Sequence, residues 1–143
     1  MHKMNQEENH DRAIGGALKH LLNIALLGML TSACGYDGPS MDVTMLKRKL
    51  DTDVHSIVVV DVRPRSLFDK GHIETAMNIP LEQFDAFKQE IARYNKPIAI
   101  ICTCGRRSLE AIRKLQDIGL SARLVVGGMN EWEKAGYPTV ASK

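Results

Sequence analysis

Cys102 closes an apolar run, Pro97-Ile98-Ala99-Ile100-Ile101, and is followed by Thr103-Cys104-Gly105-Arg106-Arg107-Ser108. The run reads as a buried strand. Behind it Leu109, Ile112, Leu115 and Ile118 recur at helical spacing, and Gly119 stands where a C-terminal cap belongs. The helix N-terminus therefore points back at the cysteine. Its unpaired N–H groups and dipole attract negative charge, Arg106 and Arg107 add two full positive charges, and a sulfur held there is favoured as an anion. Cys102 is thus a candidate nucleophile. The competing reading is a cysteine simply buried at a strand end.

Four other residues could take part. Asp61 ends the apolar run Ile57-Val58-Val59-Val60, and the carboxyl ends of parallel strands line the usual ligand crevice of open α/β sheets. It could orient Arg63 or the loop backbone, or cap a turn, the structural role being favoured. His72 follows Gly71 after a short helical turn at 66–70; a loop-fixing histidine is favoured over a general base. Cys104 could form a strained disulfide with Cys102, receive sulfur from it, or be an inert loop residue. A Cys-x-Cys pair with no second ligand cluster falls short of a metal site, and no cofactor is expected.

These residues need a scaffold. Helices at about 42–50, 82–94, 107–118 and 129–135 alternate with strands at 57–62, 77–79, 98–102 and 123–126. Near-continuous apolar strands in such an alternation argue for an α/β fold with a parallel sheet covered on both faces. Asp42 reads as an N-cap, Phe84, Phe87 and Ile91 as the apolar face of the middle helix, and Trp132 as core. The 143-residue chain is 44% hydrophobic and carries a net charge of +2, which gives no electrostatic case for nucleic acid.

Cys102, Gly105, Arg107 and Ser108 resemble the active loop of the rhodanese (sulfurtransferase) family. Val58-Val59-Val60-Asp61-Val62-Arg63, Gly71-His72-Ile73 with Ala76 and Asn78-Ile79-Pro80, and Gly127-Gly128-Met129 with Trp132 and Gly136-Tyr137-Pro138 resemble three further segments in family order. The resemblance covers about residues 40–140. It implies a three-layer α/β/α domain with a mainly parallel five-stranded sheet. The related phosphatase branch has one more residue in its loop, and the position where its arginine would fall is Ser108. What the resemblance implies is transfer of sulfane sulfur from a small anionic donor such as thiosulfate to cyanide or a thiol, through a persulfide on Cys102. Thr103, Cys104, Gly105, Arg106, Arg107 and Ser108 would hold the anion, with Asp61, Arg63 and His72 in support. In many members an acidic residue before the aromatic pairs with the Asp-x-Arg arginine; here that position is Leu67, which leaves Arg63 without that partner. Glu74-Thr75 replaces the common Pro-Gly, and Gly127-Gly128 is expected at the pocket rim. The alternatives are a dithiol redox or oxyanion reductase using Cys102 and Cys104, and a non-catalytic binding module.

The first 34 residues carry a different message. A ten-residue apolar stretch, Leu21 to Leu30, follows Lys19 and His20 and precedes Thr31-Ser32-Ala33-Cys34. A charged start, short apolar core and small residues are the proportions of an export signal, and small residues before cysteine resemble a bacterial lipoprotein box with Cys34 as the lipid-bearing residue. The run is shorter than the roughly 20 residues a spanning helix needs. The expected organisation is a signal at 1–34, a tether at 35–40 and a domain at 41–143, on the periplasmic face of a membrane through lipid on Cys34. An uncleaved membrane anchor or an ordinary cleaved signal is one alternative, and a cytoplasmic location with the segment as an amphipathic or disordered extension is the other.

Overall fold

The computed structural model of the chain describes residues 36–142. The export and lipidation readings, Cys34 included, lie outside the described residues.

Five parallel strands form one sheet in the order β1-β5-β4-β2-β3. They are β1 Ser40–Met41, β2 Val58–Asp61, β3 Met77–Asn78, β4 Ile98–Ile101 and β5 Arg123–Val125. The helices are α1 Val43–Thr52, α2 Arg65–Phe68, α3 Phe84–Arg93, α4 Arg106–Gln116 and α5 Gly128–Lys134, with a 3₁₀ turn at Leu81–Gln83. β2 and β4 are buried at every position, as continuous apolar runs require when helices cover both faces. Side chains alternate across the sheet. Val59, Ala99, Ile101 and Val125 pack on one face with Leu46 of α1 and Met129 and Trp132 of α5. Phe84, Ile91, Ile112 and Leu115, from α3 and α4, are buried at 1% exposure or less outside that cluster, so α3 and α4 form the third layer.

Local signals act as their chemistry demands. The Asp42 carboxylate accepts the Met45 N–H at 2.7 Å and caps α1. Gly119, at φ +77°, lets the chain leave α4 as the Leu120 N–H bonds back to the Leu115 carbonyl. Glu74-Thr75 makes its turn without Pro-Gly, closed by the Ala76 N–H on the Ile73 carbonyl at 2.8 Å.

Two expectations need correction. Ser40 is not tether. It begins β1, and the preceding Pro39 carbonyl accepts the Leu124 N–H at 2.9 Å. A two-residue strand has no periodicity to read and exists only because β5 pairs with it. Phe87 is 41% exposed, while Phe84 and Ile91 are buried. Phe87 falls about 60° around the helix from Phe84, at the flank of the buried stripe.

The topology also locates a crevice. From β2 the chain moves outward to β3, and from β4 it moves the other way to β5. The carboxyl ends of β2 and β4 therefore lie where connections diverge, the place where open α/β sheets bind ligands.

Candidate active site

Cys102 emerges from the central strand at that divergence and is 2% exposed. The chain then turns sharply: Gly105, at φ +113°, caps α4, and its N–H donates to Cys102 Sγ at 3.0 Å. A side chain at that φ would be strained, so glycine is what lets the amide face the sulfur. The first turn of α4 follows directly. Its leading N–H groups have no carbonyl within the helix to bond, so they add positive potential on the side where the sulfur sits. Arg106 and Arg107 are both exposed on this turn. Ser108, its third residue, is wholly buried, and its hydroxyl has no hydrogen-bond partner among the described residues. A buried unpaired hydroxyl is costly, and this one, in the first turn of the helix that Gly105 caps, is a donor without a partner.

The loop is held from behind by a second helix. The Met129 N–H donates to the Cys102 carbonyl at 2.8 Å and the Asn130 N–H to the Thr103 carbonyl at 3.1 Å. A Cβ at Gly128 would overlap the Cys102 carbonyl oxygen and come within 2.7 Å of the Thr103 oxygen. Gly128 thus serves close backbone approach rather than the open rim expected for it. With the Cys102 and Thr103 carbonyls turned toward α5, the loop directs the Gly105 N–H at the sulfur.

Asp61 and Arg63 brace the other side. Asp61 stands beside Ile101 in the β2–β4 register, and the Val62 N–H bonds the Ile101 carbonyl at 2.9 Å. Arg63 Nε donates to both Asp61 oxygens at 3.0 and 2.9 Å, and Nη2 to Oδ2 at 2.6 Å. The side chains are 6% and 0% exposed. Arg63, which lacks an acidic residue at position 67, therefore pairs with Asp61. Its Nη2 also donates to the Gly71 carbonyl, and Asp61 Oδ1 accepts the Arg63 N–H. Asn78, not singled out as a site residue, donates through Nδ2 to the Asp61 and Arg63 carbonyls at 3.0 and 2.9 Å. Its signal was present in the Asn-Ile-Pro segment, but its partners lie on another strand.

His72 faces different groups. Its Nδ1 donates to the Phe68 carbonyl at 2.8 Å, its ring stacks on Phe68, and its backbone pairs with Val140 in both directions. It ties the segment after β2 to the last described residues. Nearby Asp69 has its carboxyl held below the ordinary range, first by the Ser142 hydrogen bond and then by the charge of Arg65. Cys104 is exposed, and both it and Cys102 are free thiols. Among the described residues no cluster of three potential metal ligands occurs, and no helix is long and apolar enough to cross a membrane.

Residues 42–135 match the family model for the rhodanese-like domain. The chain belongs to the rhodanese-like family. Among curated proteins, this rhodanese-like chain is 33% identical over 121 residues to the "Putative sulfur carrier protein YrkF" of Bacillus subtilis; the match takes in 84% of this chain and 63% of that relative, so it spans less than two thirds of that relative's length. It is 29% identical over 85 residues to the thiosulfate sulfurtransferase GlpE of Shewanella oneidensis, covering 59% of this chain and 83% of GlpE. Among solved structures, a rhodanese-related protein from Thermoplasma volcanium is 31% identical with a TM-score of 0.61, over 73% of this chain and 99% of that one. The shared α/β fold with a five-stranded parallel sheet is thereby established.

Proposed function

We propose that the domain is a sulfurtransferase that carries sulfane sulfur on Cys102. In the first half-reaction the Cys102 thiolate attacks the outer sulfur of a donor such as thiosulfate, whose S–S bond breaks with its electron pair leaving on sulfite. In the second, a thiophilic acceptor, cyanide or a thiol, attacks the outer sulfur of the persulfide and releases the Cys102 thiolate. The observation that carries this reading is the Gly105 N–H directed at Cys102 Sγ at the mouth of α4. That amide and the helix end can bind negative charge both on the resting thiolate and on the persulfide, and the Ser108 hydroxyl, without a partner among the described residues of the resting site, is a donor left for the loaded state. Arg106 and Arg107, exposed beside the loop, are suited to attracting anionic donors.

Intact-mass measurement tests it. Incubation with thiosulfate adds one sulfur to the protein, cyanide removes it, and Cys102→Ser abolishes it. Failure to gain sulfur under reducing conditions would exclude the mechanism. For residues 1–34 we propose an export segment with lipid on Cys34 at the periplasmic face of a membrane. Metabolic labelling with a radioactive fatty acid should mark the wild-type chain and miss Cys34→Ala.

A further inference from the structure

We infer that Cys104 is a relay that takes sulfur from Cys102 and presents it to thiols too bulky to reach the buried atom. The inference rests on the sulfurtransferase reading above. Two free thiols share one loop in unlike settings: Cys102 is 2% exposed, Cys104 is exposed. The inner wall is closed by α5, whose Met129 and Asn130 amides bond the Cys102 and Thr103 carbonyls. Cyanide can enter such a pocket. A cysteine on the surface of a folded protein cannot bring its sulfur to bonding distance without opening the loop.

The relay step is a thiol–persulfide exchange. The Cys104 thiolate attacks the outer sulfur of the Cys102 persulfide; a new bond forms between Cys104 Sγ and that sulfur, and the old S–S bond breaks with its electron pair on Cys102 Sγ. The outer sulfur keeps the negative charge it received from thiosulfate, so the products are a Cys104 persulfide anion and a Cys102 thiolate, and no oxidant, reductant or proton is consumed. The loop is built for that leaving group. The Gly105 N–H already points at Cys102 Sγ at 3.0 Å, a donor in place for the departing sulfur anion. The geometric demand is also lighter than that of a disulfide. In-line transfer spans two S–S bonds end to end, about 4 Å between the Sγ atoms, whereas a bridge needs about 2 Å.

The test uses the full chain loaded with limiting thiosulfate, alkylated with iodoacetamide at intervals, and mapped by fragment-ion mass spectrometry. The added sulfur should appear on Cys102 first and on Cys104 later, and Cys102→Ser should show none on Cys104. In parallel, loaded protein is discharged to cyanide and to ubiquitin bearing a single surface cysteine. Cys104→Ser should lower the ratio of the ubiquitin rate to the cyanide rate at least tenfold. Sulfur on Cys102 that never reaches Cys104, or an unchanged ratio, overturns the relay and leaves the Cys102 persulfide standing. Sulfur on Cys104 in Cys102→Ser also overturns it, since the donor would then load Cys104 directly. No sulfur on either cysteine removes the sulfurtransferase reading, and the relay with it.

Discussion

Replacing Ser108 by alanine should raise stability and lower activity. The hydroxyl is wholly buried without a partner among the described residues, and an unsatisfied buried hydroxyl costs about 1–3 kcal/mol. Alanine removes that cost, leaves little cavity and is the better helix former by a few tenths of a kcal/mol. A gain of about 1 kcal/mol or more is expected. With a urea m-value of about 1–1.5 kcal/mol/M for a domain of this size, the midpoint should rise by roughly 1 M. Trp132, the single tryptophan and 1% exposed, is a suitable fluorescence probe. Activity should move the other way. A hydrogen bond to a charged sulfur contributes about 1.5–3 kcal/mol, so thiosulfate-to-cyanide turnover should fall by roughly 10- to 150-fold. A variant destabilised by 1 kcal/mol would show that the hydroxyl has a partner within the fold. A more stable variant with full turnover would show that the hydroxyl does not serve the sulfur.

Three further outcomes follow from the site and its frame. Gly128→Ala forces a Cβ into the Cys102 and Thr103 carbonyls at φ +60°; about 1 kcal/mol of backbone strain and two weakened bonds of about 1 kcal/mol each should lower stability by about 3 kcal/mol and slow sulfur loading, as urea midpoints and timed mass spectra would show. Arg63→Ala leaves the Asp61 carboxylate buried and unpaired and should cost about 3–5 kcal/mol in denaturant unfolding, whereas Asp61→Leu with Arg63→Met should recover a large part of it. The Asp85 carboxyl is held below its ordinary range by the Lys114 hydrogen bond first and by Lys88 second. Because its folded value is depressed, its contribution is present above the ordinary carboxylate range and fades as pH falls through the folded value. Lys114→Met should therefore move the Asp85 midpoint upward in an NMR titration, and an unmoved midpoint would count against the pair.

The parts legible in the sequence were those set by neighbours along the chain. The apolar runs Ile57–Val60 and Ile98–Ile101, uninterrupted by polar residues, read as buried strands, and the Asp42 cap and Gly119 exit act within one turn. The Cys102-to-Ser108 spacing was enough to place a sulfur at a helix mouth, since Gly105 performs its turn within three residues of Cys102. What escaped depends on chain segments meeting across the fold. β1 is defined by β5, Asn78 reaches back to β2, and Gly128 has its meaning only against the Cys102 carbonyl. Arg63 escaped differently. Its partner lies two residues away, but the pairing depends on a side chain folding back on its own strand end, which no spacing rule reports.

The clasp of α5 on the Cys102 loop has a bearing on timing. The strand that delivers the thiol, Ile98–Ile101, is synthesised before α5, whose Met129 and Asn130 amides hold its loop. A ribosome still holding α5 holds back the finished cradle. Until α5 docks, the nascent polypeptide carries Cys102 in a loop whose Cys102 and Thr103 carbonyls lack these partners.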